Sequence, residues 1–510
     1  MQTRDPGFFA NKQPGSRIGA ASFRFCAASG TRVERARLMN SELTFDVIVI
    51  GGGIAGMVAA NRAAQLGQRV AVLEKSTEEK YICNTRITYG TFHINFTSPL
   101  TPEDELTRKI EACTEGYARK DLARAVAKEG RRLMQWLVSE GIDLSDLGQY
   151  HTHVLSPVAR TGSGLKWENY AGDIALQRFE ASLKKRGGQL IRGARATALK
   201  LVKDGVEVEA QQAGSTKTFE AKAVVIADGG FTANTDLVRE HVSRTPEKLL
   251  QRHGGAANGD GLRMAEAVGA ARSTEMGSFY GHLHSRDAMT AGTRMWPRPQ
   301  ADDVAAASIV IDTSGRRVAD EGFGGIYLSN AIARLPDPLG TTIIFDQAVW
   351  DGPGRNHVQP PNPLVPDEGG TLHKANTLAE LAAMIGLPAQ KLEAVVGEYN
   401  KAIETGALDK LDPPRRKGGA KAWPIKTAPF YAMPICTAIT NTMGGIVVDG
   451  QARVIDTNGA PIPGLFAAGS TVGGLDGGPH SGYVGGLIKA VIGLIAAETI
   501  CGAEVASAAS

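Results

Sequence analysis

The chain has 510 residues, enough for two or three domains with separate cores. A net charge of only +3 excludes the strong global field of a nucleic-acid or anionic-membrane binder. Five scattered cysteines (Cys26, Cys83, Cys113, Cys436, Cys501) form no CxxC pair, which argues against metal clusters and disulfide frameworks and fits a reducing, cytoplasmic compartment.

Residues 1–38 are basic and serine-containing, as a targeting segment can be, but lack the long apolar core of a secretory signal, and 1–43 read as a disordered N-terminal extension. Met39, just before the first strand, is an alternative start. From residue 45 the parts of FDVIVIGGGIAGMVAANRAAQLGQRVAVLEK agree with one another. A β-branched run, Val47–Ile50, feeds Gly51-x-Gly53-x-x-Gly56 and a small-residue helix; a second apolar strand, Val70–Leu73, then ends on Glu74. Gly51 suits the tight turn, Gly53 the close approach of a pyrophosphate, and Gly56 close helix–strand packing. The phosphates would sit at the positive helix N-terminus and Glu74 would accept hydrogen bonds from a ribose. These features predict dinucleotide binding and leave FAD and NAD both open.

A helical stretch, Pro102–Glu140, has Trp136 and Leu137 on its expected buried face. Val206–Ala210 and Thr218–Glu220 alternate as a hairpin does, and Ala223–Ala227 reads as a buried parallel strand breaking into Asp228-Gly229-Gly230-Phe231. Gly259-Asp260-Gly261 opens an amphipathic helix to Val268, with Asp260 as its expected cap. From Ser278 to Pro299 proline, aromatic and histidine residues cluster, followed by a strand over Ile309–Asp312. Thr377-Leu378-Ala379-Glu380 is a capping box, and a further helix runs from Pro388 to about Glu404. Residues 406–424, rich in Pro, Lys and Gly, read as an exposed excursion. Strands at Ile446–Val448, Arg453–Ile455 and Gly464–Ala468 lead to a glycine-rich loop, 473–486, and a helix Leu487–Cys501. No uncharged apolar run reaches the ~18–20 residues of a membrane helix, so no membrane insertion is expected.

The fingerprint GGGIAG, Asn84-Thr85 with Gly90, ADGGF (227–231), GDG (259–261), TMGG (442–445) and GLFAAG (464–469) together resemble the fumarate reductase/succinate dehydrogenase flavoprotein superfamily over about 44–505. The resemblance implies an α/β fold: a Rossmann-like FAD-binding domain split in sequence, 44–277 and 441–505, with an inserted α+β capping domain at 278–440. It places Gly51, Gly53, Ala55 and Gly56 at the pyrophosphate, and Glu74 with Lys75 at the adenosine ribose. Asn84, Thr85 and Gly90 fall on the ribityl side, Ala227 and Gly229 near adenine, and Gly469, Ser470, Gly485, Gly486 and Leu487 near the isoalloxazine. Where succinate dehydrogenases carry a flavin-linking histidine this chain has Asn84, so the FAD is expected to be noncovalent. Asn441 and Tyr483 stand where fumarate reductases place a histidine and a substrate arginine, and no arginine follows Asp320-Glu321 at the proton-donor position.

His480-Ser481-Gly482-Tyr483-x-Gly485-Gly486 instead resembles the tricarballylate dehydrogenase and 3-ketosteroid Δ1-dehydrogenase branches. That implies an FAD-dependent dehydrogenase or reductase acting on a C–C bond of a small molecule next to a carbonyl or carboxylate, with an unidentified electron acceptor and no nucleic acid. Tyr483, His282 and Tyr280 are the candidate catalytic residues, because such chemistry needs a hydrogen-bond donor for developing negative charge and an acid/base for the proton. His284, His480, Arg86, Arg294 and Arg298 are further polar candidates, and Phe279, Trp296 and Tyr327 candidate pocket aromatics. The alternatives are an electron-transfer flavoprotein subunit working with a redox partner and a fumarate reductase-like dicarboxylate reductase. An inserted cap that closes over the flavin would hinge near Gly277 or Gly281.

Overall fold

The computed structural model describes residues 43–147, 154–159, 166–292, 294–295, 299–357 and 359–502. The expectation for residues 1–42, like those for Trp296 and Arg298, lies outside the described residues. The chain from Phe45 onward forms one unit, to which both large sheets belong.

Strand Thr44–Ile50 pairs in parallel with Val70–Glu74, in the register Val47 opposite Val70 and Ile50 opposite Leu73. Their fully apolar inner residues suit a strand covered on both faces. Strand Gln189–Arg192 extends this sheet on one side, and Ser215–Ile226, Pro461–Ala467 and Arg453–Ile455 on the other. The long strand Ser215–Ile226 has two parts with different patterns. Its first half begins fully exposed and forms a hairpin with Gly205–Gln212, while Ala223–Ile226 is fully buried, with Val224–Ile226 paired in parallel with Leu465–Ala467.

Helix Ile54–Gln65 starts directly after the glycine turn. The last helix, Ala490–Ile500, crosses it so closely that a Cβ on Gly493 would fall 2.3 Å from the Ala55 carbonyl oxygen. That packing explains an apolar segment buried along nearly its whole length; Glu498 at its end is paired with Arg62 and Arg132. No helix among the described residues is long and apolar enough to cross a membrane.

A second sheet is built on strand Phe430–Thr442, which pairs antiparallel with Phe279–Ser285 and with Thr341–Asp346; the latter pairs with Ile309–Ile311. The two-residue strand Leu250–Gln251 joins the same sheet in parallel, opposite Ala438–Ile439. Val310, Ile343, Phe345, Met433 and Ile435 centre its core. Phe430–Thr442 continues beyond this core to Thr442, whose hydroxyl accepts from Phe231 N at the end of the glycine turn that follows Ile226. One strand therefore links both sheets.

Three expectations are corrected. Asp260 does not cap helix Asp260–Ala267: its N-cap is Gly259, and the Asp228 carboxylate accepts from Gly261 N at 2.7 Å. Asp260 is instead bonded to Arg195 and Arg263. Residues 406–424 are exposed over most of their length but anchored by the wholly buried Arg415, which donates to the Ala306 carbonyl at 2.6 Å and pairs with Glu321. Gly281 is no hinge, since it lies inside a paired strand where a Cβ would meet Ala438 O at 2.0 Å. The capping box at Thr377 and Glu380 is formed as the sequence predicts.

Candidate active site

A large cavity runs along the C-terminal ends of the first sheet's strands and reaches the second sheet. Its floor is the glycine turn. Gly51 has φ +104°, and a Cβ there would strike Ala227 O at 2.6 Å, so the turn requires glycine. At Gly53, by contrast, a Cβ would meet only Thr85 Oγ1 at 3.6 Å; the space next to this residue is left open by the protein. The N-cap of helix Ile54–Gln65 is Gly53, which has no side chain, and Gly51, Gly53 and Ala55 line the cavity, so a pyrophosphate fits at the positive start of this helix. Gly56 does not line the cavity: a Cβ there would lie 2.1 Å from Gly51 O, so its role is close packing.

Glu74 accepts from Gly52 N at 3.0 Å and Ser76 N at 2.9 Å, which holds its carboxylate against the cavity. Lys75 donates to Ala256 O and lies 3.9 Å from Asp260. Ala227, Gly229, Gly469, Ser470, Gly486 and Leu487 also line the cavity. Gly90 and Gly485 do not. Each is fixed by packing, Gly90 against Ala171 and Gly485 against the His93 carbonyl. The Thr85 hydroxyl accepts from Ile54 N, while Asn84 bridges two backbone groups, donating to Thr440 O at 3.1 Å and accepting from Gly254 N at 2.9 Å. Burial pushes the thiol of Cys83 beside it up to about 11, which disfavours the thiolate. Buried polar atoms without partners, Asp228 Oδ1, Arg252 Nε, Gln300 Oε1 and Asn441 Nδ2, belong to residues lining the cavity, as a site for a long polar cofactor and its substrate requires.

Tyr280, His282 and Tyr483 come together at the second sheet. Tyr280 and His282, two apart on strand Phe279–Ser285, share a face. His282 Nε2 lies 2.8 Å from the Tyr280 hydroxyl, and its Nδ1 lies 3.1 Å from Asp302 Oδ2. The ring of Tyr483 stacks on that of Tyr280 with centroids 4.0 Å apart. Burial lowers the His282 pKa and Asp302 only partly opposes it, so the resting imidazole is neutral. Neutral His282 donates Nδ1–H to Asp302 and accepts the Tyr280 O–H at Nε2. Burial raises the Tyr280 phenol and the positive charge of Arg252 opposes that rise. Burial alone would lift the Asp302 carboxyl, but His282, with His357 and His284, outweighs it and holds it low. A second cavity, lined by Phe323, Trp423 and His357 among others, opens on the other side of Tyr280 and His282.

Sequence reasoning missed Asp302 and Arg252. No local signal marks Asp302, which reaches His282 only through the packing of helix Asp302–Ala307. The other polar candidates fall elsewhere. Arg86 is buried in ion pairs with Asp173 and Glu180, each at 3.0 Å. His284 is wholly buried, its pKa pushed down to about 3 by burial. His480 bonds Glu115 and stacks on Phe323 at 3.6 Å, outside both cavities, with Tyr327 on its edge. Arg294 is exposed beside Gly369, and Phe279 is core.

The FAD binding domain family model matches residues 46–482. Among curated proteins, the chain is 28% identical to the urocanate reductase of Eggerthella lenta over 84% of this chain and 70% of that one. It is 26% identical to the 4-oxocyclohexanecarboxylate 2-dehydrogenase of Sinomonas cyclohexanicum, over 90% of this chain and 93% of that one. In fold it resembles the 3-ketosteroid Δ1-dehydrogenase of Sterolibacterium denitrificans, with a TM-score of 0.67 at 20% identity over 91% of this chain and 100% of that one. The cradle at Gly53, the strand order and the family match converge: the chain belongs to the FAD binding domain family and is an FAD-dependent oxidoreductase of the fumarate reductase superfamily.

Proposed function

We propose that the protein dehydrogenates, or in reverse reduces, a C–C bond adjacent to a carbonyl or carboxylate of a small molecule. The observation that carries this reading is the hydrogen-bonded series Tyr280–His282–Asp302, set between the cofactor cavity and a second cavity, with Tyr483 stacked on its first member. FAD, when bound, supplies hydride chemistry at its N5. The proton is handled by the chain. In dehydrogenation the Tyr280 oxygen takes the proton from the carbon next to the activating group as its own proton passes to His282 Nε2. Asp302 then holds the imidazolium. Tyr483 donates its O–H to the oxygen of the activating group, where negative charge develops. That the two curated relatives are a reductase and a dehydrogenase supports a transfer of two hydrogens.

The cofactor-binding part is assigned to 44–277 and 441–505 and the cap to 278–440, with Leu250–Gln251 lent to the cap sheet. FAD is held noncovalently, because the Asn84 amide is engaged at both ends and cannot form the bond a histidine would. Acid precipitation should leave the yellow colour in the supernatant. The free cysteines among the described residues favour a cytoplasmic setting. The deciding experiment adds saturated acids and ketones anaerobically to the oxidised holoenzyme and follows the flavin absorbance. Bleaching by at least one is expected. No bleaching by any of them, with rapid reoxidation of the reduced enzyme by a protein fraction, would overturn the assignment in favour of electron transfer.

A further inference from the structure

The cavity holds a buried cation, Arg252, beside the proton relay; its charge and a side-chain hydrogen bond act on the Tyr280 phenol, and among the described residues no carboxylate balances it. Because Leu250 and Gln251 pair with Ala438 and Ile439, and Arg252 N donates to Ile439 O at 2.9 Å, Arg252 is set beside Thr440. Its Nη1 donates to Thr440 Oγ1 at 3.0 Å. On the other side of the same strand Asn441 stands opposite Tyr280. Arg252, just past its two-residue strand, Asn441 and Tyr280 thus all line one cavity.

Arg252 is 9% exposed, and among the described residues no carboxylate pairs with it. Its Nε has no partner, and neither has Asn441 Nδ2. The other two cations lining the cavity, Lys75 and Arg195, both pair with Asp260. A guanidinium withdrawn from water without a counter-ion is costly, and a planar fork of donors suits a carboxylate. The open space at Gly53 is the expected seat of the pyrophosphate, away from Arg252, so the pyrophosphate is not the counter-ion this proposal invokes.

We propose that Arg252, assisted by the Asn441 amide, is the receptor for a substrate carboxylate, so that this site takes an organic anion rather than a neutral ketone. The inference rests on the proposed dehydrogenase activity and moves the cation from position 483, where a tyrosine stands, to a neighbouring strand. Arg252 orients the substrate so that its reacting carbon faces Tyr280, through a guanidinium–carboxylate pair.

The test titrates the oxidised holoenzyme with cyclohexanecarboxylate, benzoate and cinnamate, and with the corresponding amides, following the visible flavin difference spectrum. At least one acid should bind about 30-fold or more tightly than its amide. Arg252→Gln should lose that preference while keeping FAD and its amide affinity, and Arg252→Lys should recover part of it. Unchanged carboxylate affinity in Arg252→Gln, or no preference for acids in the parent protein, would overturn the proposal. So would Arg252→Gln protein that purifies without FAD, which would assign the arginine to the cofactor. Bleaching by saturated ketones but by no acid sinks this inference and leaves the dehydrogenase reading standing. Arg252-dependent carboxylate binding without any bleaching does the reverse.

Discussion

Asp302→Asn tests the proton relay with the least disturbance of shape. Asp302 is buried and its Oδ1 occupies the space a Cβ on Gly325 would need, so only an isosteric change leaves the packing intact. In the resting enzyme the His282–Asp302 contact joins a neutral ring to an anion; as His282 takes the Tyr280 proton it becomes an ion pair. At the 3.1 Å separation and an effective dielectric of about 20, a full pair is worth about 5 kcal/mol. A half-developed charge in the transition state is then worth about 2–3 kcal/mol, or about 10²-fold in kcat. The assay is the anaerobic bleaching rate with the most reactive saturated acid or ketone, normalised to bound FAD. Dehydrogenation should also fall on acidification as His282 charges, its folded pKa lying below the ordinary histidine value, while the reverse reduction gains. Asp302→Asn protein with full FAD and a rate within three-fold of the parent, about 0.7 kcal/mol, would refute the relay.

Gly53→Val should leave the fold intact, since the protein itself leaves room there, and abolish FAD retention; the ratio of flavin to protein absorbance together with circular dichroism checks both parts. Tyr483→Phe keeps the stack on Tyr280 and removes one donor, so kcat should drop about 10²–10³-fold with little change in KM, read by steady-state kinetics on flavin-replete protein. Acid should destabilise the fold below pH 6.5, because burial holds His93 down to about 4 and His284 to about 3, and both stay neutral in the folded state while the unfolded chain binds protons. Burial likewise holds His253 down to about 4 and lowers His282, while it raises Asp228 to about 6, which offsets one of these protons, so the net loss is at least about 2.7 kcal/mol per pH unit toward pH 5, measured by urea unfolding at stepped pH.

The dinucleotide cradle was legible because its constraints are local. A left-handed Gly51 and a helix starting at Ile54 follow from neighbouring residues alone. Tyr280 and His282 were legible as a pair because a strand puts alternate residues on one face. Gly90 and Gly485 were placed at the cofactor by motif, yet a glycine marks close approach of any kind, and here the approaching groups are Ala171 and the His93 backbone. Arg252 escaped notice because its placement depends on a two-residue strand whose partner lies nearly two hundred residues away in sequence. Asp302 depends likewise on how a short helix packs against the second sheet.

Strand Phe430–Thr442 gives the protein a division of labour between what moves together and what can part. Arg252, Tyr280 and Asn441 are fastened to this one strand by backbone pairing, so a displacement of the second sheet carries them as a set. Tyr483 belongs to the glycine-rich loop that leads into Leu487–Lys489, and it meets the set through a ring stack, not a shared strand. An opening motion would thus keep the proposed anion receptor and Tyr280 together while withdrawing Tyr483, the donor proposed for the oxygen of the activating group. On the proposed roles, commitment to chemistry depends on the seating of two aromatic rings, a contact without net charge. It should be insensitive to ionic strength and sensitive to the shape of whatever occupies the cavity between them.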